Sequence, residues 1–109
     1  MELSDALDAL AALSQQTRLE AFRLLVRHEP DGLPAGDIAQ ALGVPANTLS
    51  THLAILARAH LVTSERRSRI IQYRADVAGL RDLMMFLAKD CCDGRAELCA
   101  PLIAELTCC

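Results

Sequence analysis

The spacing of apolar residues predicts a chain built mainly of helices. A first amphipathic helix is expected over 4–13, because apolar residues recur there every three or four positions: Leu3, Ala6, Leu7, Leu10 and Leu13. Ser14 is a suitable cap for a second helix, Gln15 to about His28, whose apolar face would be Leu19, Phe22, Leu25 and Val26. The run Glu29-Pro30-Asp31-Gly32 predicts a stop and a turn.

Two further helices are separated by a tight turn. The third is predicted over Leu33–Leu42, the turn at Gly43-Val44-Pro45, and the fourth from about Ala46 to His60. Such a pair is typical of a helix-turn-helix. In the fourth helix the leucines point one way and small or hydrogen-bonding residues point the other: Asn47, Ser50, Thr51 and Ala54. That outer face suits a major groove, although an ordinary solvated helix face has the same pattern.

An arginine-rich hairpin is expected next. Leu61–Glu65 and Ile70–Arg74 have strand character, and Arg66-Arg67-Ser68-Arg69 would form the turn between them. A charged turn is often only solvated. Directly after a helix-turn-helix, however, a hairpin tipped with arginine is typical of a wing that holds the DNA backbone or enters the minor groove.

The last long helix, which begins at Asp76, is too apolar for the outside of a monomer. Its apolar residues are Val77, Leu80, Leu83, Met84, Phe86 and Leu87. Together with the first helix it predicts a two-fold dimer interface, which would present two recognition helices to a pseudo-palindromic site. The expected fold is therefore mainly α with a small β-hairpin, a winged helix-turn-helix that dimerises through its first and last long helices.

Charge and composition agree with a nucleic-acid partner. The 109-residue chain carries a net charge of −3, but residues 14–75 contain eight arginines against five acidic residues, while both ends are acidic. A basic middle is the minimum requirement for holding phosphates. No apolar run approaches the length of a membrane span, and the acidic N-terminus does not resemble a signal peptide. We therefore expect a cytoplasmic protein without a membrane partner.

All five cysteines lie near the end of the chain. The first 90 residues contain none, and the cysteines are Cys91, Cys92, Cys99, Cys108 and Cys109. In a reducing compartment, this grouping favours binding of a soft metal or thiol chemistry over a disulfide framework. We accordingly divide the chain into a DNA-binding and dimerisation domain, 1–90, and a cysteine-rich inducer-binding tail, 91–109.

Several stretches resemble the arsenical-resistance repressor (ArsR-type) family of metal-sensing winged-helix regulators. The resemblance covers roughly residues 5–88 and rests on Ala12–Leu19, Asp37–Val44, Ser50–Leu56, and Leu61-Val62 leading into the arginine-rich hairpin. It implies a homodimer that binds double-stranded operator DNA, represses an operon and releases the DNA when an inducer binds.

The resemblance also implies where the inducer binds. Many arsenic sensors of the family carry cysteines at the start of the third helix, but residues 32–42 have none. Others bind zinc on the last helix through histidines and carboxylates, but residues 76–90 contain no histidine. This chain looks like a rarer variant with a Cys-Cys pair and a third cysteine beyond the last helix, which implies a site of Cys91, Cys92 and Cys99.

The chemistry of the cluster fits that site. Neighbouring residues of an intact helix point about 100° apart, so the Cys91-Cys92 pair needs a frayed helix end, which Asp93-Gly94 would supply. Three thiolates without a nearby histidine suit As(III) or Sb(III), whereas zinc prefers a fourth ligand. Cadmium, lead or mercury would also fit. Cys108 and Cys109 could be accessory ligands, a relay, a dithiol site for a methylated trivalent arsenical, or a dispensable tail.

The residues leave several functions open. In the principal hypothesis the major groove is contacted by Asn47, Thr48, Ser50, Thr51 and His52, and the wing consists of Arg66, Arg67 and Arg69. His52 is equally suited to a structural role. A second hypothesis is a redox or persulfide sensor that forms a disulfide within the cluster. A third, a thiol enzyme or metal carrier, lacks a supporting motif. We therefore predict no enzymatic activity, no organic cofactor and no small-molecule substrate.

Overall fold

The computed structural model describes residues 1–88, 100–101 and 105, in which helices pack around a small antiparallel sheet. The elements are α1 (Leu3–Leu13), α2 (Gln16–Arg27), β1 (Leu33–Pro34), α3 (Ala35–Leu42), α4 (Ala46–Arg58), β2 (Val62–Arg67), β3 (Ile70–Ala75) and α5 (Val77–Ala88). The predicted winged helix-turn-helix fold is confirmed. None of the helices in the described ranges is long and apolar enough to cross a membrane.

Helix α4 lies at the centre of the core. Its Leu49, Leu53 and Leu56 are fully buried and belong to one cluster with Leu25 of α2 and Ile38 of α3. The same helix packs against α1, α2, α3 and β2. Because the leucines hold one side of α4 against the body, its opposite side is left on the surface.

The sheet has the strand order β1-β3-β2, and its longest pairing is the β2–β3 hairpin. The register runs from Val62 opposite Ala75 to Arg67 opposite Ile70. The predicted four-residue turn is therefore wrong, because Arg66 and Arg67 still belong to the strand. Ser68, with φ of 61°, is in the left-handed region, and this conformation lets the chain reverse within two residues.

The third strand was not predicted. Leu33 and Pro34 pair with Tyr73 and Gln72 of β3 instead of opening the third helix, so α3 begins only at Ala35. The residue before a proline is disfavoured in helical conformation, and Pro34 is itself extended, with ψ of 153°. The extended dipeptide is thus available to the edge of the sheet.

Ser14 does not cap the second helix. Its hydroxyl donates to the Ala11 carbonyl oxygen at 2.8 Å, which places it at the end of α1. Gln15 takes the capping position, and its side-chain oxygen accepts from the Arg18 backbone N–H at 2.9 Å. A glutamine side chain can reach the same orphan N–H groups that a serine would satisfy.

Helix α1 buries its small residues and exposes its large ones. Ala6, Ala9 and Ala12 are buried in the core, whereas Leu3, Leu7 and Leu10 are 62%, 57% and 41% exposed. The helix is amphipathic as predicted, but its leucines form a second apolar stripe outside the core. In α2 the predicted apolar face is only partly correct, since Phe22 and Leu25 are buried but Leu19 and Val26 are exposed. Ala21 occupies the remaining core position of α2.

Gly32 joins α2 to β1 in a conformation that favours glycine. Its φ is +75°, and a Cβ atom there would overlap the Tyr73 carbonyl oxygen. We expect Gly32→Ala to lower the free energy of unfolding by at least about 2 kcal/mol, as measured by urea denaturation. Gly36→Ala is the control, because no atom lies within 4 Å of its added Cβ. Equal stability of the two variants would contradict this packing.

Candidate nucleic-acid interface

The outward face of α4 carries short polar side chains. Asn47, Thr48, Ser50, Thr51 and Ala54 are all exposed, opposite the buried leucines. The turn that precedes α4 begins at Gly43, which is left-handed with φ of 67° and closes the end of α3. This is the helix-turn-helix geometry, and it leaves the N-terminal turns of α4 accessible to a groove.

The hydroxyl groups on this face are held by the helix itself. Ser50 Oγ donates to the Ala46 carbonyl oxygen at 3.0 Å, and Thr51 Oγ1 donates to that of Asn47 at 3.4 Å. The Asn47 side-chain oxygen accepts from the Thr48 backbone N–H at 3.0 Å. These contacts fix the side chains close to the helix surface, where their oxygens can accept from base-edge donors.

The wing carries arginine on both of its faces. Arg66 Nε donates to the Ser68 carbonyl oxygen at 3.3 Å, and Arg67 forms an ion pair of 3.3 Å with Glu65. Both partners of that ion pair are exposed, so it is weak and can be exchanged for a phosphate at little cost. Arg69 lies in the turn and is exposed.

Two apolar residues at the wing tip were missed as site candidates. Ile70 and Ile71 are 53% and 44% exposed, and they stand directly opposite Arg67 and Arg66. Successive strand residues point to opposite faces, so each face of the tip presents one arginine beside one isoleucine. The two β-branched residues predicted the strand. Only the structure shows that the wing tip extends beyond the core, so that these side chains are exposed.

The base of the wing is braced against the turn after α2. Arg74 Nη2 lies 2.9 Å from Glu29 Oε2, and the Gln72 amide donates to the Asp31 carbonyl oxygen at 3.1 Å. The hydrogen bond and the charge of Glu29 raise the pKa of Arg74 above its usual value. The hairpin is therefore anchored at both β1 and the preceding turn, and its orientation relative to α4 is fixed.

His52 lies on the flank of α4, away from the middle of the polar face. It is half-buried, and its Nδ1 is 3.2 Å from Nη1 of Arg18 in α2. The Nε nitrogen of Arg18 also donates to the Ala12 carbonyl oxygen at 2.7 Å. The motif that carried the family resemblance includes Arg18, but a contact between residues this far apart in the chain has no local sequence signal.

The five cysteines, Cys91, Cys92, Cys99, Cys108 and Cys109, lie outside the described residues. The three-cysteine site and the division of the chain at residue 90 therefore stay predictions. Among residues 1–88, 100–101 and 105, no group of three or more His, Cys, Asp or Glu side chains is placed to hold a metal ion.

Comparisons with known proteins agree with this geometry. A helix-turn-helix domain family matches residues 13–65, and with the arginine-bearing hairpin this defines a winged helix-turn-helix DNA-binding protein. An ArsR-like transcriptional regulator from Rhodococcus sp. RHA1 is 30% identical, with 95% of this chain and 93% of that chain covered and a TM-score of 0.73. The chain belongs to the ArsR family of DNA-binding transcriptional regulators. This membership indicates a non-enzymatic regulator, as predicted.

Two other solved structures are also similar. A homodimeric winged helix-turn-helix DNA-binding domain from Mycobacterium bovis is 27% identical, with 81% of this chain and 82% of that chain covered and a TM-score of 0.65. A possible transcriptional regulator for arsenical resistance is 26% identical, with 86% and 95% covered and a TM-score of 0.67. No curated protein matches the sequence significantly.

Proposed function

We propose that the protein is a homodimeric repressor that releases operator DNA when trivalent arsenic or antimony binds Cys91, Cys92 and Cys99. The observation that carries the DNA-binding half is the polar face of α4, exposed beside an arginine-bearing wing of fixed orientation. In this arrangement α4 reads base edges in the major groove, and Arg66, Arg67 and Arg69 neutralise phosphates beside it.

Dimerisation is supported by the leucine stripe of α1. Leu3, Leu7 and Leu10 lie along one face of this helix and are exposed, whereas the face that packs on the core consists of buried alanines. Helix α5 packs against α1 and adds the exposed Val77, Met85 and Leu87. Two copies related by a two-fold axis would bury these side chains against each other. A homodimeric domain is among the similar structures.

Inducer chemistry is supported by the clustering of thiols. Arsenite enters as As(OH)₃, and each cysteine thiol replaces one hydroxide with the loss of one water, so no electrons are transferred. Three As–S bonds then replace three As–O bonds, and the product needs no fourth ligand. One of the similar structures is a possible regulator of arsenical resistance.

The coupling route starts where the cysteine tail begins, at the end of α5. That helix packs on α1, and Leu83 anchors it in the core. At its other end, a Cβ at Gly79 would overlap the backbone of His60, so the first turn of α5 touches the segment that leaves α4. The Asp76 N–H also donates to the Leu61 carbonyl oxygen at 2.8 Å. Ordering of the tail against α5 would therefore be transmitted through these contacts to α4, the proposed recognition helix.

The test requires a duplex that the wild-type protein selects from a random-sequence pool. Release of this duplex is then titrated with arsenite, antimonite, methylarsenite, cadmium and peroxide in parallel. We expect arsenite and antimonite to release it without added oxidant, because the inducer must bind the free protein more tightly than the DNA-bound protein. Release by peroxide alone would indicate that the protein senses oxidants through disulfide formation and does not sense metalloids. Failure of the wild-type protein to select any duplex would overturn the proposed function as a whole.

A further inference from the structure

One arginine side chain connects three helices of the DNA-binding domain. Arg18 belongs to the first turn of α2, and its Nε nitrogen donates to the Ala12 carbonyl oxygen near the end of α1 at 2.7 Å. Its Nη1 nitrogen lies 3.2 Å from Nδ1 of His52 on α4. The last carbonyl groups of a helix have no intrahelical partner, so Arg18 satisfies the end of α1 while it contacts the recognition helix.

The contact determines which nitrogen of His52 carries hydrogen. A guanidinium group has five N–H donors and no acceptor, so Nδ1 has to accept. The imidazole is then neutral, with its hydrogen on Nε2. Among the described residues, Nε2 has no hydrogen-bond partner. Since His52 is only half-buried, a donor is left available at the edge of the proposed DNA-binding surface.

We propose that Arg18 is a positioning residue for DNA binding, which holds His52 as a neutral Nε2–H donor to a phosphate oxygen of the duplex. A phosphate is the favoured acceptor because His52 stands on the flank of α4, whereas Asn47 and Ser50 occupy the exposed face that a groove would receive. Two of the five N–H donors of Arg18 are directed at Ala12 and His52, and in this proposal Arg18 acts on DNA only through His52 and makes no ion pair of its own with a phosphate. The inference rests on the proposed DNA-binding function.

DNA binding by the single and double variants distinguishes this role from a purely structural one. We expect Arg18→Met and His52→Ala each to lower affinity for the selected duplex about tenfold. Because the two residues act through one hydrogen bond, the double variant should also lose about tenfold instead of about a hundredfold. The steepness of log K against log salt should stay at the wild-type value in all three, because a neutral donor releases no counterion. Loss of a cationic contact would reduce it by about 0.9 for each subunit, or about 1.8 for the proposed dimer.

Two further measurements keep the inference testable if Arg18→Met is unstable. Arg18→Lys retains the charge, but one ammonium group cannot reproduce the planar fork that serves both acceptors, so it should also bind more weakly. Long-range ¹⁵N–¹H NMR of the wild-type protein should place the His52 hydrogen on Nε2 alone. Arg27→Met, an exposed arginine of the same helix, is the matched control and should bind as the wild type does.

Additive losses, wild-type affinity of His52→Ala, or a hydrogen on Nδ1 would overturn the role of Arg18. These outcomes differ from failure of the proposed function, in which the wild-type protein itself would not discriminate the selected duplex from unrelated DNA. If the wild type binds selectively and the steepness of the salt dependence falls by about 0.9 per subunit in His52→Ala, His52 binds phosphate as a cation and is not the neutral donor proposed here.

Discussion

Replacing Leu7 with aspartate should convert the proposed homodimer to monomers and lower affinity for the selected duplex by at least about a hundredfold. Leu7 is 57% exposed in the middle of the α1 stripe, between Leu3 and Leu10. A two-fold interface contains each substitution twice, and burial of one leucine contributes roughly 1.5–3 kcal/mol. Two unpaired carboxylates at its centre add a desolvation cost, and a monomer presents only one recognition helix to a two-part site.

The matched control is Ser4→Asp. It adds the same charge to the same helix, at an exposed position outside the leucine stripe, and an acidic residue is favourable in a first helical turn. This variant should stay dimeric and bind the duplex normally. Sedimentation velocity measures the assembly and fluorescence anisotropy the affinity. A dimeric Leu7→Asp variant with normal DNA affinity would show that the stripe serves another purpose.

Neutralising the wing should produce the second large effect. We expect the combined change of Arg66, Arg67 and Arg69 to glutamine to reduce the affinity by at least about a hundredfold at physiological salt. Each lost phosphate contact should also reduce the steepness of log K against log salt by about 0.9. Because a dimer carries two wings, each substitution removes its contact twice. Glutamine keeps much of the side-chain length, so the charge is the principal difference. The braces at Glu29–Arg74 and Gln72–Asp31 are untouched, so the hairpin should keep its place.

Arg81→Gln provides the comparison for this experiment. Arg81 is exposed on α5, so its substitution removes a positive charge from outside the wing. Its effect on the salt slope should be far smaller than that of Arg69→Gln alone. An equal effect of these two single substitutions would mean that the wing acts only through the net charge of the protein and makes no direct contact with phosphates.

The helical framework could be predicted because its signals are local. The leucine spacing of α4, the glycine of the turn before it and the aspartate at the start of α5 are all visible within a few residues of sequence. In the structure, Asp76 accepts from the Gly79 N–H at 3.0 Å. The wing was predicted from its β-branched residues and its place in the chain. The predicted turn of the wing was too long, because arginines are as compatible with an exposed strand as with a loop.

Features that depend on the tertiary arrangement were missed. The pairing of Leu33-Pro34 requires a partner strand about 40 residues away, and the contact of Arg18 with His52 joins residues that are 34 positions apart. Periodicity also could not separate the two apolar sides of α1, since alanine and leucine both count as apolar. Only packing shows that the alanines face the core and the leucines face outward.

In the proposed function, Cys91, Cys92 and Cys99 convert arsenite binding into DNA release. The direct measurement is an arsenite titration of the duplex-bound protein under reducing conditions, comparing wild type, Cys91→Ser/Cys92→Ser/Cys99→Ser, and the control Cys108→Ser/Cys109→Ser. We predict that the wild type and the control release the duplex, while the triple variant binds it with normal affinity and does not respond to arsenite. Release of the duplex by the triple variant at the arsenite concentrations that act on the wild type would show that these three cysteines are not the inducer site.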